Sequence, residues 1–389
     1  MKLVEVKDKR TVREFLSFPV ALYREHPNWI RPLDKDIEAI FDPKINRNFD
    51  NGEAIRWLLT DDSGKTIGRI AAFINESTKN ASEFPVGGMG FFECIEDQQA
   101  AFMLFEACKK WLVARGVEAM DGPINFGERD KWWGLLVEGF TEPNYGMFYH
   151  MPYYQQFFEN YGFQVYFKQF TCTRSTREAL KPAILERMKR VQAANGYTFR
   201  HAPKNNPEKL ASDFYTVYTK AWASHTGISK MTMDKARAIV NQMKPVMDER
   251  LMWFGYYHEE PVAFFVMLPE LNQIFKHLNG KLDLIGKLKF LWYKHKLKSE
   301  RDYKKTFGII FGVVPEHQGK GVETGLIGST QEMVTSLGYT DIEMNWIGDF
   351  NPKMLAVTKL LSASICKTHI TYRYLFDRNK PFERYPIIT

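Results

Sequence analysis

The sequence predicts an α/β protein: an α+β mixed sheet flanked by helices and built as two halves. Two observations carry this. Short runs rich in Val, Ile, Phe and Tyr, bounded by turn residues, alternate with longer stretches whose apolar residues recur at helical spacing. The order strand, two helices, three strands, helix, strand, helix, strand is read on either side of a charged stretch at 176–196. The repetition lies in element order and not in sequence.

The first half covers 1–175. Residues 3–6 read as a strand and 11–25 as an amphipathic helix. Residues 55–60 and 66–73 form a hairpin around Asp61-Asp62-Ser63-Gly64, where short polar side chains and a glycine favour a tight turn. A strand at 87–93 precedes a strong helix, 98–115, with Phe102, Phe105, Cys108, Trp111 and Leu112 on one face and Gly116 at its end. Strand 117–120, helix 153–161 and strand 163–173 complete the half. The helical stretch 176–194, with Pro182 near its start, reads as the connector.

The second half covers 197–389. It offers a strand at 197–201, helices at 207–223 and 233–247, and a hairpin of 251–257 with 262–268 about His258-Glu259-Glu260. A mostly apolar strand at 306–314 ends at Pro315. Helix 322–336, strand 341–346, helix 352–361 and strand 367–376 follow. An insertion, 271–305, separates the third and fourth strands.

Composition narrows the function. Hydrophobic residues at 44% and charged residues at 25% of 389 leave ample material for a core. No apolar run approaches the ~20 residues of a membrane span. Met1-Lys2-Leu3-Val4-Glu5 lacks a signal-peptide h-region, so a cytoplasmic location is expected. Cys94, Cys108, Cys172 and Cys366 are widely spaced without histidine partners, which predicts free thiols and no metal site. Ten Lys or Arg face three acids within 271–305, a surplus equal to the net +7 of the whole chain. The remainder is neutral, so no nucleic-acid partner is expected.

The stretch 304–327, KKTFGIIFGVVPEHQGKGVETGLI, joins a buried strand to a helix through a polar, glycine-bearing turn. Such a turn presents unpaired N–H groups at the positive end of the helix dipole, a site suited to phosphate or pyrophosphate. Gly319 and Gly321 allow close approach of an anion, and Lys320 adds charge. An ordinary strand-turn-helix connection has the same spacing. The stretch resembles the acyl-CoA-binding motif of the GNAT superfamily of N-acetyltransferases, Gln/Arg-x-x-Gly-x-Gly/Ala after a strand and a proline. Gln318, Gly319, Lys320, Gly321 and Val322 match it. Glu323 departs from the usual Gly or Ala; its side chain is expected to point away, leaving its N–H for the ligand, with Thr324 offering a hydroxyl.

The resemblance implies two GNAT-like halves, an arrangement also found in N-myristoyltransferase and the peptidoglycan aminoacyl transferases. It implies one acyl-CoA site, because the first half's equivalent turn, Ile95 to Ala101, has no glycine and two acids. It implies free N–H groups for the acyl carbonyl at Gly312, Val313 and Val314, and a V-shaped gap between strands 306–314 and 341–346. Asn351 matches a family asparagine, as helix cap and CoA contact. Thr358 replaces the family's tyrosine acid, so Tyr372 or Tyr374 on the last strand, or water, must supply the proton. On strand 341–346 the polar set Asp341, Glu343 and Asn345 shares a face, which makes Glu343 the leading general base beside a solvated outer-face role. His317 is a second candidate.

Gly122 to Gly134, GPINFGERDKWWG, packs small, charged and aromatic residues into one loop. It is either an acceptor pocket using Asn125, Glu128, Arg129 and Trp132 or packing between the halves. Similar stretches occur in uncharacterised bacterial GNAT-like proteins. The insertion 271–305 is open to four readings: a lid, a dimer contact, an anchor on an anionic membrane surface, or a loop packed on its own half. The expected function is N-acyl transfer, foremost acetyl transfer, from acetyl-CoA or another acyl-CoA to the amine of a small molecule or peptide. The alternatives are acyl-CoA binding without turnover and aminoacyl transfer from a non-CoA donor.

Overall fold

The computed structural model describes residues 1–80, 82–194, 196–221, 231–300 and 302–388. The predicted helical end at 222–223 and Arg301 of the basic insertion lie outside them. The first half runs β1 (Lys2–Glu5), α1 (Lys9–Leu22), α2 (Asp34–Phe41), β2 (Gly52–Thr60), β3 (Thr66–Asn75), a short α3 (Glu76–Lys79) and β4 (Val86–Cys94). It continues with α4 (Gln98–Val113), β5 (Ala119–Gly122), β6 (Leu135–Glu138), α5 (Tyr154–Tyr161) and β7 (Gln164–Ser175). After α6 (Pro182–Ala193) come β8 (Tyr197–His201), α7 (Pro207–Ala221), α8 (Met233–Met243), β9 (Met252–Tyr257) and β10 (Glu260–Pro269). The chain then forms α9 (Asn272–Phe275), α10 (Leu284–Ser299), β11 (Lys305–Val313), α11 (Val322–Ser336), β12 (Asp341–Gly348), α12 (Pro352–Leu360) and β13 (Ser364–Leu375).

The strands join in one mixed 13-stranded sheet, ordered β1-β2-β3-β4-β5-β13-β7-β12-β11-β10-β9-β8, with β6 added on β13. The centre of this order is an exchange. β13, last of the second half, pairs antiparallel with β5 of the first, Tyr372 opposite Gly122. β7, last of the first half, pairs antiparallel with β12 of the second, Ile342 opposite Arg174. The two exchanged strands pair with each other from Ser364↔Thr173 to Arg373↔Gln164. Each half is therefore completed by a strand of the other.

Separate cores pack on this sheet. In the first half α4 and α5 bury Phe105, Cys108, Leu112, Tyr154 and Phe158 against Phe92, Leu135 and Tyr372. In the second, α7 and α8 cover one face through Phe214, Val217 and Val240, and α11 covers the other through Val322, Leu326 and Val334. On α4 the apolar face read from the sequence packs on the first half's core, Phe105, Cys108 and Leu112 fully buried and Phe102 and Trp111 partly so.

Candidate functional site

The second half's fourth and fifth strands part as expected. β11 and β12 pair in parallel only from Lys305↔Asp341 to Gly308↔Met344; beyond that point β12 stays on β7 while β11 stays on β10. Val314 N–H donates to Val262 O at 2.9 Å. Bonded and unbonded positions alternate along an antiparallel pair, so Gly312, opposite Phe264, also turns its N–H to β10. Of the three amides expected at the carbonyl, Val313 alone faces the gap, joined by Phe311. Gly312 and Val314 are thereby corrected to pairing positions.

At the head of α11, Gly319 and Gly321 both adopt positive φ, 72° and 89°, which a side chain would strain. Gly321 is the N-cap, and no side chain caps the helix. Among the described residues, the N–H groups of Lys320, Gly321, Val322, Glu323 and Thr324 have no protein acceptor. Gln318 folds back, its Nε2 donating to Val313 O at 3.0 Å. The Thr324 hydroxyl is buried and donates to Gly321 O at 2.7 Å, so it stiffens the turn and is not offered outward. Glu323 departs from expectation: its carboxylate curls back and accepts the Gly319 N–H at 3.4 Å. The connector helix adds what the sequence did not reveal. Arg187 of α6 is exposed and donates to Gly319 O at 3.0 Å, placing a second cation beside Lys320.

The first half's equivalents are closed. Asp97 Oδ1 accepts from Gln99 N at 2.8 Å and Ala100 N at 3.1 Å, capping α4 with an anion where α11 is bare. The gap between β4 and β5 is filled by the chain itself: Ile124 N–H donates to Met89 O at 2.8 Å, and a Cβ on Gly90 would stand 1.7 Å from Ile124 O.

The candidate acid and base positions fare differently. Glu343 is buried between Lys305 Nζ at 2.7 Å and Lys367 Nζ at 3.2 Å. Burial alone would raise its carboxyl, but Lys367 and Lys305 outweigh that and hold it below the ordinary value. A carboxylate fixed in this way is a weak proton acceptor; it ties β11, β12 and β13 together. Tyr372 lies in the first half's core against Phe158, its hydroxyl donating to Glu159 at 3.0 Å, and burial raises its pKa. The exchange has carried it, and Tyr374 with it, away from the gap. Thr358 is buried, bonded to Leu355 O at 2.9 Å. His317 meets the Tyr197 hydroxyl at 2.8 Å, and burial lowers its pKa. Asn351 caps α12 through Met354 N–H at 3.1 Å.

A cleft of about 2100 Å³ runs from the gap across the junction of the halves. That is well above the ~300–1,000 Å³ of a drug-sized pocket. Its walls are largely apolar and aromatic, among them Phe307, Phe311, Met344, Phe275, Phe290 and Leu291. The loop after β5 forms its polar side. Asn125, Glu128 and Arg129 line the cleft, and Asn351 does so from α12. Trp132 and Trp133 both belong to a buried core cluster, and of the two it is Trp133 that also lines the cleft. The loop is locked to β12 by the Trp346 indole N–H on Arg129 O at 2.8 Å. Asn125 Oδ1, Trp133 Nε1 and Asn345 Nδ2 are buried, line the cleft and lack protein partners, which suits a polar ligand group. Tyr218 of α7 also lines it, its pKa raised by burial and then by Glu128.

These features define a tandem GNAT fold with a parted pair of strands in the second half. Among solved structures, a tandem GNAT protein from the clavulanic acid biosynthesis pathway superposes with a TM-score of 0.54 at 9% identity, over 97% of this chain and 99% of that one. A GCN5-related glucosamine N-acetyltransferase region of a fungal β-N-acetylglucosaminidase gives 0.55 at 11%, over 96% of this chain and 38% of that one. In sequence, the chain is 27% identical over 375 residues to the bacterial ceramide synthase of Caulobacter vibrioides, covering 96% of this chain and 97% of the relative. It is 25% identical over 371 residues to protein YghO of Escherichia coli, covering 94% and 93%. No family model matches the chain.

Proposed function

We propose that this protein is an N-acyltransferase that moves an acyl group from acyl-CoA to the amine of a long-chain, lipid-like acceptor. The observation that carries the reading is the pairing of an uncapped glycine turn at α11 with a parted β11–β12 edge, the two features that the first half lacks. The α11 amides, Lys320 and Arg187 would hold the pyrophosphate. The Val313 and Phe311 N–H groups would receive the thioester carbonyl and stabilise the oxyanion as the amine nitrogen attacks. The C–N bond forms, the C–S bond breaks, and the CoA thiolate leaves. Two protons must leave the acceptor ammonium and one must reach the thiolate.

Glu343 does not suit the first transfer. Glu128 and Tyr218 both line the cleft, one from each half, near enough for the Glu128 charge to act on the Tyr218 hydroxyl, and are the acid–base pair we assign. The apolar cleft, and a full-length relative named a ceramide synthase, support long chains over the acetyl group expected from the motif. Thiol release from acetyl-CoA and palmitoyl-CoA, with short- and long-chain primary amines, tests this. Release with the long-chain partners supports the reading. Tight binding of acyl-CoA without release for any amine would leave a carrier, and no binding would remove the reading altogether.

A further inference from the structure

The basic insertion is a helix with two apolar faces. The inner face of α10 holds to the protein: Phe290 packs on Phe275 with ring centroids 5.9 Å apart, Tyr293 stacks on His277 at 4.1 Å, and Gly286 is buried. The outer face carries Leu284, Ile285, Leu288, Leu291 and Trp292, exposed by 76, 65, 62, 61 and 56%. At 100° per residue these five side chains occupy a sector of roughly 120°. Lys287 and Lys298 border it on one side, where Lys294 is instead tied to Pro245 O at 2.6 Å, and Lys289 and Lys296 border it on the other; no acid lies within the helix. A soluble surface rarely gathers five large exposed apolar side chains on one helix. Elsewhere among the described residues, exposed large apolar side chains do not recur along a single helix face.

We infer that α10 docks the protein onto an anionic lipid surface, the leucines, isoleucine and tryptophan entering the headgroup boundary and the lysines meeting lipid phosphates. The charge complement selects this occupant: a flanking row of lysines on each side opposes like-with-like packing of a second copy, while an anionic bilayer meets both rows. No helix among the described residues is long and apolar enough to cross a membrane, so the contact is peripheral. Phe290, Leu291 and Lys287 of the same helix line the cleft, so docking sets the cleft mouth at the lipid surface. That last consequence rests on the proposed function; the docking does not.

The test is flotation of the full chain with phosphatidylcholine vesicles, with or without about one-third phosphatidylglycerol, at low and high salt. Flotation with the anionic vesicles is expected to fall about tenfold or more on removing phosphatidylglycerol, on raising salt, or in the variant Leu288→Glu with Trp292→Glu. Lys289→Gln with Lys296→Gln and Lys298→Gln leaves the apolar face intact and should erase the preference for anionic lipid. Absence of flotation with anionic vesicles overturns the proposal, as does equal flotation of a folded double-Glu variant. So does a wild-type dimer that the double-Glu change splits, which would make the face a contact between copies. Vesicle binding without acyl transfer would retain the docking and remove the proposed function.

Discussion

Arg187 donates to the backbone oxygen of Gly319 at 3.0 Å, so a helix that precedes the second half reaches onto the turn where an anion would sit. This arginine is exposed and has other donors to offer. Arg187→Ala is expected to weaken CoA binding about five- to tenfold, with Arg187→Lys intermediate, because charge-assisted bonds to phosphate are stronger than neutral ones. Calorimetry with CoA and with a pantetheine thioester checks the assignment: only the ligand carrying the pyrophosphate should lose affinity.

Glu323 works in the opposite direction. Its carboxylate occupies the Gly319 N–H at 3.4 Å and places a negative charge beside the cradle. Glu323→Ala should tighten CoA binding two- to fivefold, a change of about 0.5–1 kcal/mol, and the gain should shrink in high salt. A weaker complex in this variant would show that the carboxylate positions the turn and does not obstruct it.

The Lys305–Glu343–Lys367 cluster makes a stability prediction that separates structure from catalysis. Removing one member leaves buried, unmatched charge, so Glu343→Gln should lower stability by about 3–5 kcal/mol in denaturant unfolding. Because the folded carboxyl lies below its ordinary 4.5, its contribution is present above that pH and fades as acid titrates it. Activity per folded molecule should stay within a few-fold of wild type. A loss of about 100-fold would return Glu343 to the role of base. Glu128→Gln is the variant expected to show that loss, with little change in melting temperature.

Glu270 carries the opposite sign. Burial pushes its carboxyl up to about 7, more than the N–H groups of Asn272 and Tyr145 pull it down, and one oxygen has no partner. The folded chain thus keeps a proton that the unfolded chain releases near 4.5. Stability falls as pH rises through that window and levels off above about 7. Glu270→Gln, which cannot ionise, should raise stability near pH 8 by on the order of 2–3 kcal/mol and change little near pH 5. A uniform shift at both pH values would mean that the change acts through packing.

Much of this was legible in the residues. Glycine and proline punctuate the turn at 315–321, and apolar spacing marks α4 and α11, so those elements emerged close to their observed bounds. α2 has no residues assigned to it from sequence: Ile37, Ile40 and Phe41 stand at helical spacing, but eight residues are too short a window for a period to stand out. The apolar spacing of α10 was visible, but two opposed apolar faces share it, and the residues alone did not tell which one is buried. The misplaced site residues share a cause. The pattern of a single strand points Tyr372 and Glu343 at the gap, whereas strand exchange and lysines from neighbouring strands decide their surroundings. Arg187 is distant in sequence from Gly319 and no local pattern links them.

The exchange itself predicts how the chain unfolds. A division at 175 and 197 would leave the first half without β13, which stands between β5 and β7 and supplies bonding partners to both. The second half would lose β7, the antiparallel partner of β12. Either fragment would expose an interior sheet edge with its unpaired N–H and C=O groups. It would also lose buried packing: Ile370, Tyr372 and Tyr374 sit in the first half's core. Fragment 1–175 is therefore expected to aggregate or stay unfolded when expressed alone, while co-expression with 176–389 restores a soluble complex. In the intact chain, scanning calorimetry should show one cooperative transition. Two resolved transitions, or a folded 1–175, would mean that each half closes its own sheet and that the exchanged strands contribute little to its stability.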